Sequence, residues 1–128
     1  MVISGIVDTS VIVDYLRGYK PAKDWFEAQA TQVLAVTPVV WLETVQGASN
    51  KVERDRAIRF LQQFQMEHPL PTDNEWAMKQ LAQYFLSHGV QFPDVMIASV
   101  AVRLRIPLYT KNTRHFAPLP DVDERQPY

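Results

Sequence analysis

The stretch Gly5-Ile-Val-Asp8-Thr-Ser-Val-Ile-Val-Asp-Tyr-Leu-Arg-Gly18 decides how the chain is read. The apolar run Val2 to Val7, rich in β-branched residues, has the pattern of a strand buried on both faces. An acid and two hydroxyls follow at once, Asp8, Thr9 and Ser10, and Val11 to Leu16 reads as a short helix stopped by Arg17-Gly18. A carboxylate where a buried strand turns into a helix is well placed for chemistry, because ligands of open α/β sheets bind beyond the carboxyl ends of the strands. The plain alternative is that Asp8 or Ser10 only caps the helix.

Strands and helices alternate onward. Ala22 to Thr31 reads as a helix with Trp25 and Phe26 inward, and Gln32 to Val36 as a second strand. Thr37-Pro38 starts a helix that stops near Gly47; within it, Glu43 is the only charged residue between Thr31 and Lys51. Lys51 to Gln65 reads as an amphipathic helix with Val52, Ile58, Leu61 and Phe64 facing in. Met66 to Leu70 is a weak third strand or an extended link. Thr72-Asp-Asn-Glu75 has a capping-box pattern and opens a helix over Asp73 to Ser87, with Trp76, Leu81, Tyr84 and Phe85 inward. A nearly apolar helix, Val95 to Arg105, begins after Gln91-Phe-Pro-Asp94, and Ile106 to Tyr109 is the last clear strand. Ala117 to Tyr128, with three prolines, reads as an irregular tail. The pattern predicts a single α/β domain over 1–128, three-layered α/β/α, with a short, mostly parallel central sheet.

The 128 residues carry 47% hydrophobic and 21% charged residues, the balance of a folded domain and not of a disordered tail. With no cysteine, disulfides, thiolate metal sites and cysteine catalysis are excluded. The N-terminal apolar run is short, lacks a basic leader and meets Asp8 at once, and no apolar segment reaches the ~20 residues of a bilayer span. A cytoplasmic location is expected, with no membrane contact. Net charge is −1, yet between Asp94 and Asp121 there is no acid, while Arg103, Arg105, Lys111 and Arg114 all fall there. A phosphate-bearing partner suits this segment; solvation of a helix face accounts for it equally well.

Asp8, Glu43 and Asp94 lie at equivalent places in the topology, near the ends of parallel strands, and are expected to converge on one edge. Carboxylate oxygens are natural ligands of Mg²⁺ or Mn²⁺, which retain several waters and suit phosphodiester hydrolysis. Taken singly, each acid has a bland reading as cap, solvated residue or helix-dipole partner. His68, His88 and His115 show no ligand spacing; Asp14 reads as a surface helix residue outside the site.

Four stretches in register carry a resemblance: Val7-Asp-Thr-Ser-Val-Ile-Val-Asp-Tyr-Leu-Arg-Gly18, then Glu43, then Pro93-Asp-Val-Met-Ile-Ala-Ser-Val-Ala101, then Leu108-Tyr-Thr-Lys-Asn-Thr-Arg-His-Phe116. Together they resemble a PIN-domain ribonuclease, above all the VapC-type toxins of bacterial toxin–antitoxin pairs. The resemblance implies a Mg²⁺- or Mn²⁺-dependent endoribonuclease, usually a homodimer, restrained by an antitoxin whose C-terminal segment enters a groove near the site. It implies Asp8, Glu43 and Asp94 as metal ligands. Asn112 stands where many relatives have a fourth acid, supplying a carbonyl but no charge. Thr9, Ser10 and Thr110 are candidates for hydrogen bonds to metal waters or phosphate, and Arg17, Lys111 and Arg114 for contacts with the RNA backbone. An amphipathic partner helix is expected near Tyr15, Leu16, Trp25 and Phe26. A haloacid-dehalogenase reading fails, because the second acid it needs, two residues after the first, is here Ser10. A receiver-domain reading fails on its missing paired acids. A PIN-like module that binds RNA or protein without cutting is the remaining alternative.

Overall fold

A computed structural model describes residues 2–128. The chain begins with strand β1 (Gly5–Val7) and helix α1 (Thr9–Leu16), followed by α2 (Lys20–Ala28) and β2 (Leu34–Val36). Next come α3 (Pro38–Gln46), α4 (Lys51–Leu61), β3 (Gln65–Met66) and α5 (Pro71–His88). The last elements are α6 (Phe92–Leu104), β4 (Leu108–Tyr109), α7 (Thr113–Phe116) and β5 (Glu124–Arg125). The strands form one sheet in the order β3-β2-β1-β4-β5, and every pairing is parallel. The α/β fold with a short parallel sheet is therefore as the alternation predicts. Among the described residues, no helix is long and apolar enough to cross a membrane.

The sheet is organised from β1 outward. Ile6 and Val7 are fully buried, as a central parallel strand requires, and join Val11 and Ile12 of α1 in the core. Gly5 is where a neighbour comes closest: a Cβ there would lie 2.5 Å from Cε2 of Tyr109 on β4. Because β1 sits between β2 and β4, its carboxyl end faces the switch point at which such sheets bind ligands.

Helix starts follow local chemistry. Asn50 Oδ1 accepts from the Glu53 N–H at 2.9 Å, while Glu53 Oε2 accepts from the Ser49 N–H at 2.8 Å, which opens α4. The long α5 starts earlier than Thr72 suggests. Pro71 takes the first helical position, and Asp73 Oδ2 accepts from the Leu70 N–H at 2.8 Å. Asp73 is 4% exposed and also receives the Arg103 Nε of α6, at 2.8 and 3.1 Å to its two oxygens. One carboxylate therefore caps α5 and ties it to α6.

Several local expectations give way. Val52 is exposed, because the inner stripe of α4 runs through Ala57, Phe60 and Leu61, and Val52 lies about 140° from Ala57 at 100° per residue. Phe85 is half-exposed, about 100° round from Tyr84, which continues the Asp73–Ala77–Gln80 stripe of α5. α4 ends at Leu61 because Gln65 and Met66 pair with β2 as β3. Residues 117–128, read as an irregular tail, carry the strand β5, whose Glu124 and Arg125 pair with Leu108 and Tyr109. Buried Phe116 and Leu119 anchor that segment to the core.

Arg103→Met removes the one cation paired, among the described residues, with the nearly buried Asp73 while keeping most of the side-chain volume. It is expected to cost about 2–3 kcal/mol, less than for a fully buried pair because Arg103 is partly solvated. Urea unfolding of parent and variant checks this; an unchanged midpoint contradicts it.

Candidate active site

At the carboxyl ends of β1 and β4 lies an open cavity of about 690 Å³. Its wall includes Asp8, Thr9, Ser10, Glu43, Asp94 and Asn112, with Arg17 and Lys111 as cations on the same wall. Each acid arrives on its own element. Asp8 directly follows β1 as the N-cap of α1, Glu43 stands on α3, and Asp94 is in the first turn of α6. The fold thus brings three acids from distant parts of the chain to one wall.

Asp8 is the most firmly braced. Ser10 Oγ and Thr110 Oγ1 both donate to its Oδ2, at 2.9 and 2.8 Å. The direction of these bonds is set by the backbone. Ser10 Oγ accepts from the Lys111 N–H at 3.1 Å, and Thr110 Oγ1 accepts from the Asn112 N–H at 2.9 Å. Each hydroxyl therefore turns its proton toward the carboxylate. Among the described residues, no side-chain donor engages Oδ1 of Asp8. Capping fails as an explanation, since Asp8 makes no side-chain cap hydrogen bond to α1.

Glu43 is exposed, and Thr9 Oγ1 donates to its Oε1 at 2.7 Å, linking α1 to α3. Asp94 is 16% exposed; its Oδ2 accepts weakly from the Gln91 N–H at 3.3 Å and lies 3.7 Å from Nδ1 of His115. Burial pushes the Asp94 carboxyl above the usual range, and the charges of Asp8 and Glu43 push the same way, against the Gln91 N–H and His115. Asp94 therefore senses both other acids.

The donor set is hard oxygen from carboxylates, an amide and hydroxyls, which fits Mg²⁺ or Mn²⁺ and suits no soft metal. Among the described residues, no three His, Cys, Asp or Glu groups draw together tightly enough for direct three-ligand coordination. The arrangement fits an ion that keeps most of its waters, with carboxylates meeting it directly or through those waters.

Most residues singled out in the sequence meet here. Thr110 lies beneath the cavity wall, reaching it through Asp8, and Asn112 uses its backbone on Thr110 while its side chain makes no cap bond to α7. Arg114 is exposed and is not part of the wall. Asp14, read as an outside surface residue, is on the wall, and its Oδ2 accepts from the Tyr128 hydroxyl at 2.8 Å. A signal for it existed: Ser10, Asp14 and Arg17 are spaced i, i+4, i+7 and share one face of α1. His115, which the sequence offers as a phosphate contact beside the cationic segment, is on the wall with Gln91, Phe92, Val13 and Pro93; nothing local in the sequence marks the last four.

A sequence profile of the PIN domain matches residues 5–121. The chain is 29% identical over 113 residues to "Ribonuclease VapC10" of Mycobacterium tuberculosis, covering 87% of this chain and 84% of that protein. Among solved structures, a toxin-antitoxin complex from Klebsiella pneumoniae superposes with a TM-score of 0.80 at 26% identity, covering 98% of both chains. DNA-bound VapBC from Salmonella typhimurium gives a TM-score of 0.79 at 16% identity, covering 98% of this chain and 99% of that one.

The raised Asp94 carboxyl has a consequence for stability. A folded-state pKa above the unfolded value favours the fold below the unfolded pKa, and this contribution is lost as pH rises through the folded value. In EDTA near neutral pH, Asp94→Asn is therefore expected to melt above the parent, the gap closing toward the usual carboxylate range. A gain of about 1 kcal/mol moves Tm by roughly 4 °C at this size. Melting curves across pH check this; a variant that melts below the parent at neutral pH contradicts it.

Proposed function

The chain belongs to the PIN-domain family and resembles its VapC-type toxins, and from that membership we propose that it is a Mg²⁺- or Mn²⁺-dependent endoribonuclease, the toxin of a toxin–antitoxin pair. The observation that carries this reading is the gathering of Asp8, Glu43 and Asp94 on one cavity at the carboxyl ends of a parallel sheet, with Asp8 braced from β4.

A bound divalent cation would supply charge stabilisation and an activated water for phosphodiester hydrolysis. Asp8, Glu43 and Asp94 would be its carboxylate ligands, and Asn112 would offer an uncharged amide oxygen nearby. Ser10 and Thr110 fix the direction in which Asp8 presents its free oxygen, and Thr9 does the same for Glu43. Arg17 and Lys111 flank the acids and receive the RNA phosphate, which the bare carboxylates would repel. Arg114 is exposed outside the cavity, where RNA that extends beyond the wall would meet it. Cleavage would then be strictly ion-dependent.

The antitoxin has a candidate groove of about 530 Å³, lined by Tyr15, Phe26, Phe60 and Phe64 with a polar rim. Tyr15 stacks on Phe60 at 3.9 Å between centroids, and Phe26 meets both edge-on. The apolar face of an amphipathic helix suits such a floor. Trp25 is absent from this groove and packs against Tyr109, while Leu16 lines a neighbouring hollow. The expected homodimer has a candidate face in exposed Leu42 and Phe92, with Val39, Trp41 and Val45 beside Glu43. A cytoplasmic location goes with this reading.

The non-cleaving alternative draws support from the spacing of the acids, which do not form a closed three-ligand cluster. Cleavage of total RNA by the purified chain separates the two. Mg²⁺ or Mn²⁺ is expected to support cutting, EDTA to abolish it and added Mn²⁺ to restore it. Asp8→Asn and Asp94→Asn are each expected to lose at least ~100-fold, and Thr110→Val, acting through Asp8, about 10–100-fold. Folded acid variants that cut like the parent would sink the nuclease reading. For the groove, Phe26→Asp and Phe64→Asp are expected to abolish co-purification of the antitoxin; capture at parental levels contradicts this placement.

A further inference from the structure

A strand of RNA that reaches the acids must also leave them, and each of its steps carries a phosphate charge. Beside the acidic cavity lies a second hollow, of about 350 Å³, between α1, α3 and α4; the two share Val13 and Arg17. The wall of the hollow also carries Arg56 of α4, and both arginines are exposed. Arg56 is held in place. Its Nη1 donates at 2.6 Å to the carbonyl of Leu16, the last residue of α1, a group that the helix itself leaves free. Among the described residues Arg56 makes no ion pair and no other hydrogen bond, so its Nε and Nη2 are open to an external acceptor. The acids beside it in sequence are engaged elsewhere. Asp55 pairs with Arg54, and Glu53, on the wall of the hollow, accepts from the Ser49 N–H at 2.8 Å. The hollow thus sets two guanidinium charges against the one carboxylate of Glu53, whereas the acidic cavity sets Asp8, Asp14, Glu43 and Asp94 against Arg17 and Lys111. The balance of charge changes sign at Arg17.

Resting on the nuclease reading, we propose that Arg17 and Arg56 form a backbone subsite for single-stranded RNA beside the acidic cavity, in which Arg56 receives the phosphate next to the one that meets Arg17. A guanidinium offers a planar fork of donors, and with one prong fixed on Leu16 the other edge remains free to grip a phosphate. Fixing the side chain in advance also removes ordering that substrate binding would otherwise have to supply. RNA is favoured over a protein segment because the hollow opens onto the acids through Arg17, and the strand being cut brings a negative charge at every step. The role is electrostatic and sequence-independent, a phosphate contact and not a base contact. A residue that only capped α1 would need a donor for Leu16 but no charge, and glutamine would serve.

The test measures binding of a fluorescent, mixed-sequence single-stranded RNA of about 12 nucleotides in Mn²⁺, as a function of salt, in an Asp94→Asn background that holds RNA without cutting it. Arg56→Gln, which keeps an N–H for Leu16 and drops the charge, is expected to weaken binding roughly fivefold near 0.1 M salt. It should also lower the slope of log K against log salt by about 0.7, the share of one phosphate. Arg17→Gln should lower the slope as much, the double variant by about 1.4, and Arg56→Lys, which keeps the charge, hardly at all. An Arg56→Gln protein with the parental slope would overturn the inference and leave Arg56 as a cap of α1. A double variant no worse than either single one would overturn it too, since both arginines would then meet one phosphate. Loss of antitoxin co-purification in Arg56→Gln, with the parental RNA slope, would give the hollow to the protein partner instead. Should Arg56→Gln fail to fold, Ser49→Asp sets a second acid in the hollow and leaves Arg56 in place; a comparable loss of RNA binding is expected, and parental binding overturns the subsite. An Asp94→Asn background that shows no salt-dependent RNA binding, alongside a parent that does not cut, removes the nuclease reading and this inference with it. A parent that cuts while Arg56→Gln keeps the parental slope removes the subsite alone.

Discussion

Two hydroxyl protons converge on one oxygen of Asp8, and the site depends on them. Ser10 is its near neighbour, but Thr110 comes from the far end of the chain, delivered by β4 lying parallel to β1. Hydrogen bonds to a charged acceptor contribute about 1.5–3 kcal/mol each, so the pair is strong enough to fix where the carboxylate points. The backbone amides of Lys111 and Asn112 orient the hydroxyls in turn. The wall of the cavity is thereby an extension of the hydrogen-bonding of the sheet, not a set of loops laid over it.

The same wall carries an energetic conflict. Asp94 is held in surroundings that disfavour its charge, with two more acids adding to the disfavour. A protein selected for stability alone would have placed amides there. Keeping carboxylates makes the cavity a region where like charges oppose one another. The Asp94 carboxyl and the fold therefore respond to pH together.

Much of this was legible in the chain because the signals are local. A β-branched run meeting Asp8, a Thr37-Pro38 helix start before Glu43, and Asp94 in the first turn of an apolar helix can each be read from a dozen residues. The bracing was not legible: nothing near Thr110 announces that its partner is 102 positions away. The strand β5 was equally hidden. Two residues, Glu124 and Arg125, leave no room for alternation, and their pairing follows from the burial of Phe116 and Leu119 before them. Of the adjacent Arg114 and His115, the four-residue helix α7 brings His115 to the cavity wall and leaves Arg114 outside it. Register in so short a helix follows from tertiary placement and not from its own pattern.

Both margins of the sheet are two-residue strands, β3 and β5, and on β5 the side chain of Arg125 is clasped by Asp123. Margins this brief expose too few unpaired amides and carbonyls to template another extended chain. Recruitment by adding a strand, one way in which peptides join a sheet and a path to fibrils, is thus disfavoured at both borders. The surfaces left open to partners are the helix faces and the cavity beyond the strand ends.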